Sequence, residues 1–198
     1  KAVFPRTQAE VEVGDVVQGG IVISNSEVGL GALSVQPLVY RLLCKNGMIS
    51  PDFSQRRAHL GRAGSDDGAF EVFRDETIRQ DDKALWMKVQ DTVRSALSDD
   101  TFNVIVGRMR EARKDKIADP IKAVEELGKQ VALGEGEARS VLTQLIEGGD
   151  LSRYGLMNAV TRMSQDVEDY DRATALEATG GKVLALPAGD WNRIAVAA

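Results

Sequence analysis

The residues best suited to bind a ligand lie between Val16 and Arg62, a segment that combines small polar side chains, glycines and basic residues. Serine, asparagine and arginine side chains hydrogen-bond phosphate oxygens, and one guanidinium can bind a phosphate through two nitrogens. Between Arg41 and Arg62 the only acidic residue is Asp52, so an anion would meet little repulsion. We predict a nucleic-acid or phosphate site formed by Ser24, Asn25, Ser26, Arg41, Lys45, Arg56, Arg57 and His59.

The same residues also have an ordinary structural explanation. Asn25 and Ser26 suit a turn, where their side chains bond to nearby backbone groups. Basic side chains are common on solvated surfaces. Aromatic residues that could stack on bases are scarce, since Tyr40 and Phe53 are the candidates within the basic stretch and aromatics make up 5% of the chain.

Residue types that perform catalysis are few. Cys44 is the only cysteine and His59 the only histidine. These two residues could form a nucleophile and its general base. Directly after Leu42 and Leu43, however, Cys44 is typical of a structural residue. One histidine excludes zinc sites built from several histidines. Three acid pairs could hold magnesium, but each suits a helix start: Asp66–Asp67, Asp81–Asp82 and Asp99–Asp100.

The first third of the chain alternates apolar and polar residues with a period near two, which is typical of strands. Residues 21–23 and 33–35 have this pattern, and the glycines between them suit a tight hairpin connection. The segment QPLVYRLLCKNG is compatible with a short helix or a strand, and its alternation favours the strand. A further short strand is expected around residues 57–60.

After Gly68 apolar residues recur at spacings of three and four, which predicts helices. Ser98 is a candidate cap for one helix, and Asp119 followed by Pro120 marks the start of another. Glycines predict three helix ends, at Gly134, at Gly148 with Gly149, and at Gly180 with Gly181. We expect the tail, residues 182–198, to form a strand or to pack against the helices.

These elements predict an α+β fold, with an antiparallel β-rich part over residues 1–67, expected to be the end of a larger amino-terminal domain, and a mainly helical part over residues 68–198. The chain has 198 residues and a net charge of -5, which weakly disfavours a protein that coats nucleic acid with its whole surface. A second basic group lies at residues 108–116. No run of apolar residues is long enough for a membrane span.

Residues 136–163 have the outline of two helices joined by a short glycine turn. A helix-turn-helix would place the second helix in a major groove, with Arg153, Asn158 and Arg162 as contacts. An ordinary helical hairpin is the commoner structure with this pattern, and Glu147 and Asp150 beside the turn would repel phosphate.

Several motifs, in order, carry a resemblance: ISNSEVGLGALSV, YRLLCKNGM, RRAHLG and YGLMNAVTRMS. With them the chain resembles the phage- and plasmid-like proteins grouped as a bacterial domain of unknown function, over most of its length. The resemblance implies a protein of prophages and mobile elements, with a longer amino-terminal part, and it implies no activity.

Together these features predict a non-enzymatic nucleic-acid-binding accessory protein of phage, prophage or plasmid DNA metabolism, acting in recombination, annealing or replication. Two alternatives stay open, a protein-binding modulator of a host or phage complex and a carboxylate-based, metal-dependent phosphodiesterase. The expected partners are nucleic acid, single-stranded DNA included, a protein, or a second copy of the chain. No catalytic residue, metal or cofactor is predicted, and no membrane. A single cysteine favours the cytoplasm of a bacterium or infected host.

Overall fold

The computed structural model describes residues 1–24, 32–51, 55–58, 74–96 and 98–195, with residues 32–34, 55–58 and 96 described by their backbone. Its amino-terminal part is one antiparallel sheet of five strands. The strands are β1 (Ala2–Glu12), β2 (Asp15–Ser24), β3 (Ala32–Arg41), β4 (Asn46–Ile49) and β5 (Gln55–Ala58). They pair in the order β1-β2-β3-β4, and β5 pairs with the other half of β3.

The strands follow from local sequence features. Val13 and Gly14 form the tight turn between β1 and β2, and Gly14 adopts a positive φ of 84° that a side chain would oppose. The predicted hairpin is confirmed, since β2 and β3 pair antiparallel from Val17–Arg41 to Ser24–Ser34. Its connection lies outside the described residues. The ambiguous segment around Pro37 is a strand, as expected, whereas β4 was not foreseen.

The carboxy-terminal part is helical. Its helices in the described residues are α1 (Asp75–Ala96), α2 (Asp99–Ala112), α3 (Pro120–Val131), α4 (Glu135–Gly148), α5 (Arg153–Met163), α6 (Tyr170–Ala185) and α7 (Ala188–Ala195), with a 3-10 turn at Ser164–Asp166. The predicted starts are confirmed: Ser98 accepts from the N–H of Thr101, and Asp119 caps α3 with Pro120 in its first turn. The fold class is therefore α+β, as predicted.

Two predicted helix ends are wrong. Gly180 and Gly181 lie inside α6, where they permit close packing. A Cβ on Gly181 would stand 1.9 Å from the carbonyl oxygen of Ile49, and one on Gly180 would stand 2.3 Å from the Thr161 methyl. Gly134 precedes α4 as its N-cap, because α3 already ends at Val131.

The sheet and the helices share a hydrophobic core. Val17, Val39 and Met48 of the sheet belong to the same cluster of buried residues as Met109 of α2 and Met157 of α5. A second, smaller cluster of Val22, Leu38 and Ile49 packs with Ala178 of α6. Because neighbouring residues of a strand point to opposite faces, both faces of the sheet are covered around β3.

The predicted division between residues 67 and 68 falls in the 59–73 segment, outside the described residues. The tail packs against the bundle as α7, which is one of the two outcomes expected, with Trp191 and Ile194 buried. Within the described ranges, no helix combines the length and the apolar character needed to cross a membrane.

Candidate functional site

The strand register collects some of the predicted ligand residues at one end of the sheet. Ser24 of β2 aligns with Ser34 of β3, and Ser34 aligns with Arg56 of β5. Arg57 aligns with Leu33 in the next position. Two strand spacings separate Ser24 from Arg56, about 10 Å between Cα atoms. We call this end of the sheet, defined by Ser24, Ser34, Arg56 and Arg57, the serine–arginine end.

The structure does not bring Arg41 and Lys45 to this end. Arg41 is aligned with Val17 at the opposite end of the β2–β3 hairpin. Seven residues of strand separate Arg41 from Ser34, about 24 Å at about 3.4 Å per residue. Lys45 lies beyond Arg41, exposed in the turn between β3 and β4. Asn25, Ser26 and His59 of the predicted site lie outside the described residues.

Arg41 instead belongs to a buried cluster between the sheet and α5. Its Nε donates to Oδ1 of Asp15 at 2.6 Å and its Nη2 donates to Oδ2 at 2.9 Å. The hydroxyl of Tyr154 donates to the same Oδ2 at 2.7 Å. Asp15 is 2% exposed, and the Arg41 guanidinium lies 5.6 Å from the centre of the Tyr154 ring. We call Asp15, Arg41 and Tyr154 the buried triad.

The electrostatics of the buried triad follow from this geometry. Burial, which disfavours a charge, is the largest single effect and acts to lower the pKa of Arg41. The hydrogen bonds to Asp15, together with the electrostatic effects of Tyr154 and Asp15, outweigh burial, so the pKa is raised above its ordinary value. Burial is the main reason that the pKa of Tyr154 is also raised, so its hydroxyl stays protonated and donates. Both carboxylate oxygens of Asp15 accept bonds, so the triad holds the sheet on α5.

A second set of polar contacts lies next to the triad. Asn46 of β4 donates through Nδ2 to Oγ1 of Thr161 at 2.6 Å and to Oδ1 of Asn158 at 3.3 Å, both on α5. Arg41 and Asn46 stand in the motif YRLLCKNG, while Tyr154, Asn158 and Thr161 stand in YGLMNAVT. Two motifs of the resemblance, more than a hundred residues apart, therefore meet at one buried junction.

Cys44 lies beside this junction in a half-buried position. Its sulfur accepts a hydrogen bond from Nη1 of Arg41 at 3.3 Å. His59, the general base considered for Cys44 from the sequence, lies outside the described residues. The structure therefore does not test this catalytic pair.

The helix-turn-helix alternative is wrong. The second helix of the predicted pair is α5, and nearly all of its residues are buried, so it cannot enter a DNA groove. Arg153 is buried too: its Nε donates to the carbonyl of Val183 at 2.8 Å and its Nη2 donates to that of Leu184 at 2.7 Å. These bonds cap the end of α6, where backbone carbonyls lack helical partners.

Much of the second basic group is engaged in contacts within the chain. Arg110 donates to the backbone carbonyl of Glu10, and Arg113 pairs with Glu12, both on β1. Lys114 pairs with Glu111 at 2.7 Å. The contacts of Arg110 and Arg113 join α2 and the residue after it to the edge of the sheet. All three contacts reduce the positive charge available to an anionic partner.

The three acid pairs considered as magnesium ligands occupy different structural positions. Asp99 and Asp100 occupy the first turn of α2, as expected for residues that favour a helix start. Asp81 and Asp82 lie within α1 instead of at its start, and Asp66 and Asp67 lie outside the described residues. In the part of the chain that the structure describes, no three histidine, cysteine or acidic side chains come together as metal ligands.

The sequence did not reveal three residues that contact Arg41 and Asn46 at the junction: Asp15, Tyr154 and Thr161. Nothing in the segments YRLLCKNG and YGLMNAVT indicated that they touch.

Comparisons of the chain with family models, with curated proteins and with solved structures found no match.

Proposed function

We propose that the chain is a non-enzymatic nucleic-acid-binding accessory protein of phage, prophage or plasmid DNA metabolism, and that it contacts phosphate at the serine–arginine end of the sheet. The observation that carries the proposal is the register of β5, which sets Arg56 beside Ser34 and Ser24. The resemblance to phage- and plasmid-like proteins supports the biological setting, in which recombination, annealing and replication use such binders.

The chemistry of the serine–arginine end suits a nucleic-acid backbone. Arginine binds phosphate through a planar fork of donors, and serine hydroxyls add shorter bonds to the same oxygens. Most protein contacts to nucleic acid are of this kind, and they fix position without reading sequence. The proposal also includes Asn25, Ser26 and His59, which neighbour this end along the chain.

Arg41 and Lys45 lie away from the serine–arginine end. The Arg41 guanidinium is held by the buried Asp15, so a phosphate would have to compete with a carboxylate that already occupies the fork. Lys45 is exposed in the turn that follows β3, beyond Arg41, which itself lies about 24 Å from Ser34 along the strand. We therefore expect the contact to depend on Arg56, which shares a face of the sheet with Ser34 and Ser24, much more than on Lys45.

Fluorescence anisotropy with single- and double-stranded DNA at a series of salt concentrations tests the proposal. Affinity should fall as salt rises, with a log-log slope of about -0.7 to -0.9 for each phosphate neutralised. Arg56→Ala should weaken binding and make that slope shallower by about one unit. Lys45→Ala, which removes the same charge at the opposite end of the sheet, is the matched control and should leave the curve nearly unchanged.

Absence of DNA binding by the folded protein at low salt would contradict the proposal. So would an Arg56→Ala curve that superimposes on that of the unsubstituted chain. Equal losses for Arg56→Ala and Lys45→Ala would show attraction by overall charge and contradict a contact at the serine–arginine end.

A second candidate function is a protein-binding modulator, and helix α1 favours it. Trp86 is 65% exposed and Met87 56% exposed at consecutive positions of this helix. Large apolar side chains exposed together often mark protein interaction sites. A folded chain that retains no DNA at any salt concentration would shift our preference to this function.

A further inference from the structure

An open groove lies between the last turns of α2 and the end of α6. Its volume is about 550 Å³, within the range of about 300 to 1,000 Å³ that is usual for small-molecule sites. Small and apolar residues at both helix ends form much of its lining. The charged residues that line it are two arginines and two acids, Arg108, Arg153, Glu111 and Asp115. The groove therefore combines an apolar surface with a balanced set of charges.

Gly107 lines this groove, and packing within the chain does not explain it. It lies inside α2, where glycine is less favourable than alanine. The described residues place no atom from another part of the chain within 4 Å of a Cβ at Gly107, whereas a Cβ on Gly181 would overlap the carbonyl of Ile49. Close packing, the reason for glycine at position 181, is therefore not the reason at position 107. Glycine at position 107 keeps the α2 wall of the groove free of a side chain.

The guanidinium of Arg153 lies between the two walls of the groove and is fixed by several contacts. Its Nη2 donates to the carbonyl of Leu184 on α6 at 2.7 Å, and its Nη1 donates to Oδ2 of Asp115, which follows α2, at 3.4 Å. The Trp191 ring lies 5.4 Å from the guanidinium. A group that is already fixed loses little entropy when it binds a ligand.

The charge of Arg153 is only partly neutralised. The 3.4 Å contact with Asp115 is longer than the roughly 2.7 to 2.9 Å of a charge-assisted hydrogen bond. Burial is the main effect on this group and keeps the pKa of Arg153 below its ordinary value, although the Asp115 carboxylate acts in the opposite direction. A closer carboxylate would therefore stabilise the guanidinium. The Asp115 side chain is 41% exposed and remains accessible to a cation.

We propose that this groove binds an α-amino acid with an apolar side chain. The carboxylate of the ligand binds Arg153, its ammonium group binds Asp115, and its side chain packs on the apolar lining that includes Leu186. Arg153 and Asp115 lie side by side. The two charges of an α-amino acid are also close together, because a single carbon atom separates the groups that carry them.

Ligands with charge of one sign suit the groove less well. A phosphate ester would meet the carboxylates of Glu111 and Asp115, and a polyamine would meet the guanidiniums of Arg108 and Arg153. Like charges brought together in this way oppose binding. The groove shares no residue with the serine–arginine end, so the inference is independent of whether the chain binds nucleic acid.

Titration of the nitrogen-15-labelled chain with L-leucine, followed by NMR, tests the site. We expect saturable shifts of the backbone amides of Gly107, Asp115 and Leu186. The analogue 4-methylpentanoate lacks the ammonium group and 3-methylbutylamine lacks the carboxylate, so each should bind about ten-fold more weakly. Leucyl-leucine, whose terminal charges lie further apart, should also bind more weakly. Absence of saturable shifts with leucine, or an analogue that binds as tightly as leucine, would overturn the proposal.

Substitutions test whether the binding occurs in the groove. Gly107→Leu fills the groove and should abolish leucine binding. Gly136→Leu makes the same change at another helical glycine with open space, in α4 and outside the groove, and should bind leucine like the unsubstituted chain.

Asp115→Asn removes the partner of the ammonium group. It should weaken leucine binding about ten-fold without weakening the binding of 4-methylpentanoate. Leucine binding that is unchanged in Gly107→Leu or in Asp115→Asn would overturn the proposal. Should Gly107→Leu fail to fold, Asp115→Asn and the analogues decide alone.

Discussion

Replacing Arg41 with methionine should strongly destabilise the protein. The Asp15 side chain is 3% exposed, and Arg41→Met would leave its carboxylate buried without two guanidinium hydrogen bonds. Breaking a buried pair by removing one partner costs about 3 to 5 kcal/mol, because an uncompensated charge remains. For a chain of this length that corresponds to a fall in Tm of about 6 to 20 °C, measurable by calorimetry or circular dichroism.

Arg113 provides a matched control, since its guanidinium lies over the same Tyr154 ring at 5.7 Å. Its carboxylate partner, Glu12, has a side chain that is 48% exposed. Arg113→Met therefore removes a cation–π contact and a solvated ion pair, for which we expect a loss of at most about 2 kcal/mol. An Arg41→Met variant no less stable than Arg113→Met would refute the argument from the buried charge.

The double variant Asp15→Asn/Arg41→Met separates lost contacts from the unpaired charge. Asparagine at position 15 can still accept from the Tyr154 hydroxyl, and no carboxylate remains buried. If the charge is the main cost, the double variant should be more stable than Arg41→Met alone. A further loss on adding Asp15→Asn would contradict this.

The remaining predictions concern packing and pH. Gly181→Ala should destabilise by about 1 to 3 kcal/mol, because its Cβ would overlap the Ile49 carbonyl. Gly107 is also inside a helix, but no atom lies within 4 Å of a Cβ at this position, so Gly107→Ala should stabilise by about 0.5 to 1 kcal/mol. A loss of stability in both variants would show that overlap is not the cause. Glu177 has a pKa raised chiefly by burial, against the opposing effect of Lys1, so the folded protein loses stability as pH rises through that pKa. Glu177→Gln should therefore stabilise most at neutral pH, and its advantage should vanish well below the ordinary pKa of 4.5; a difference independent of pH in thermal unfolding would contradict this.

Local sequence features were enough to predict the fold class and several element boundaries. Alternation with a period of two identified the β2–β3 hairpin, and side-chain caps identified the starts of α2 and α3 at Ser98 and Asp119. These signals are readable because the physical cause acts within a few residues of the position concerned. The same locality explains the failure at Gly180 and Gly181, where glycine is required by contacts outside α6: Thr161 on α5 for Gly180, and Ile49 on β4, more than a hundred residues away, for Gly181.

The same distinction between local and long-range information applies to the candidate site. Its residue types, serine and arginine in a segment poor in acid, were visible in the sequence, and so were the motifs around Arg41 and Tyr154. Only the strand register separated Arg41 from Ser24 and set Ser24 in line with Arg56. Only the packing of α5 on the sheet paired Tyr154 with Asp15, 139 residues apart, because a contact between distant residues has no signature in the residues nearby.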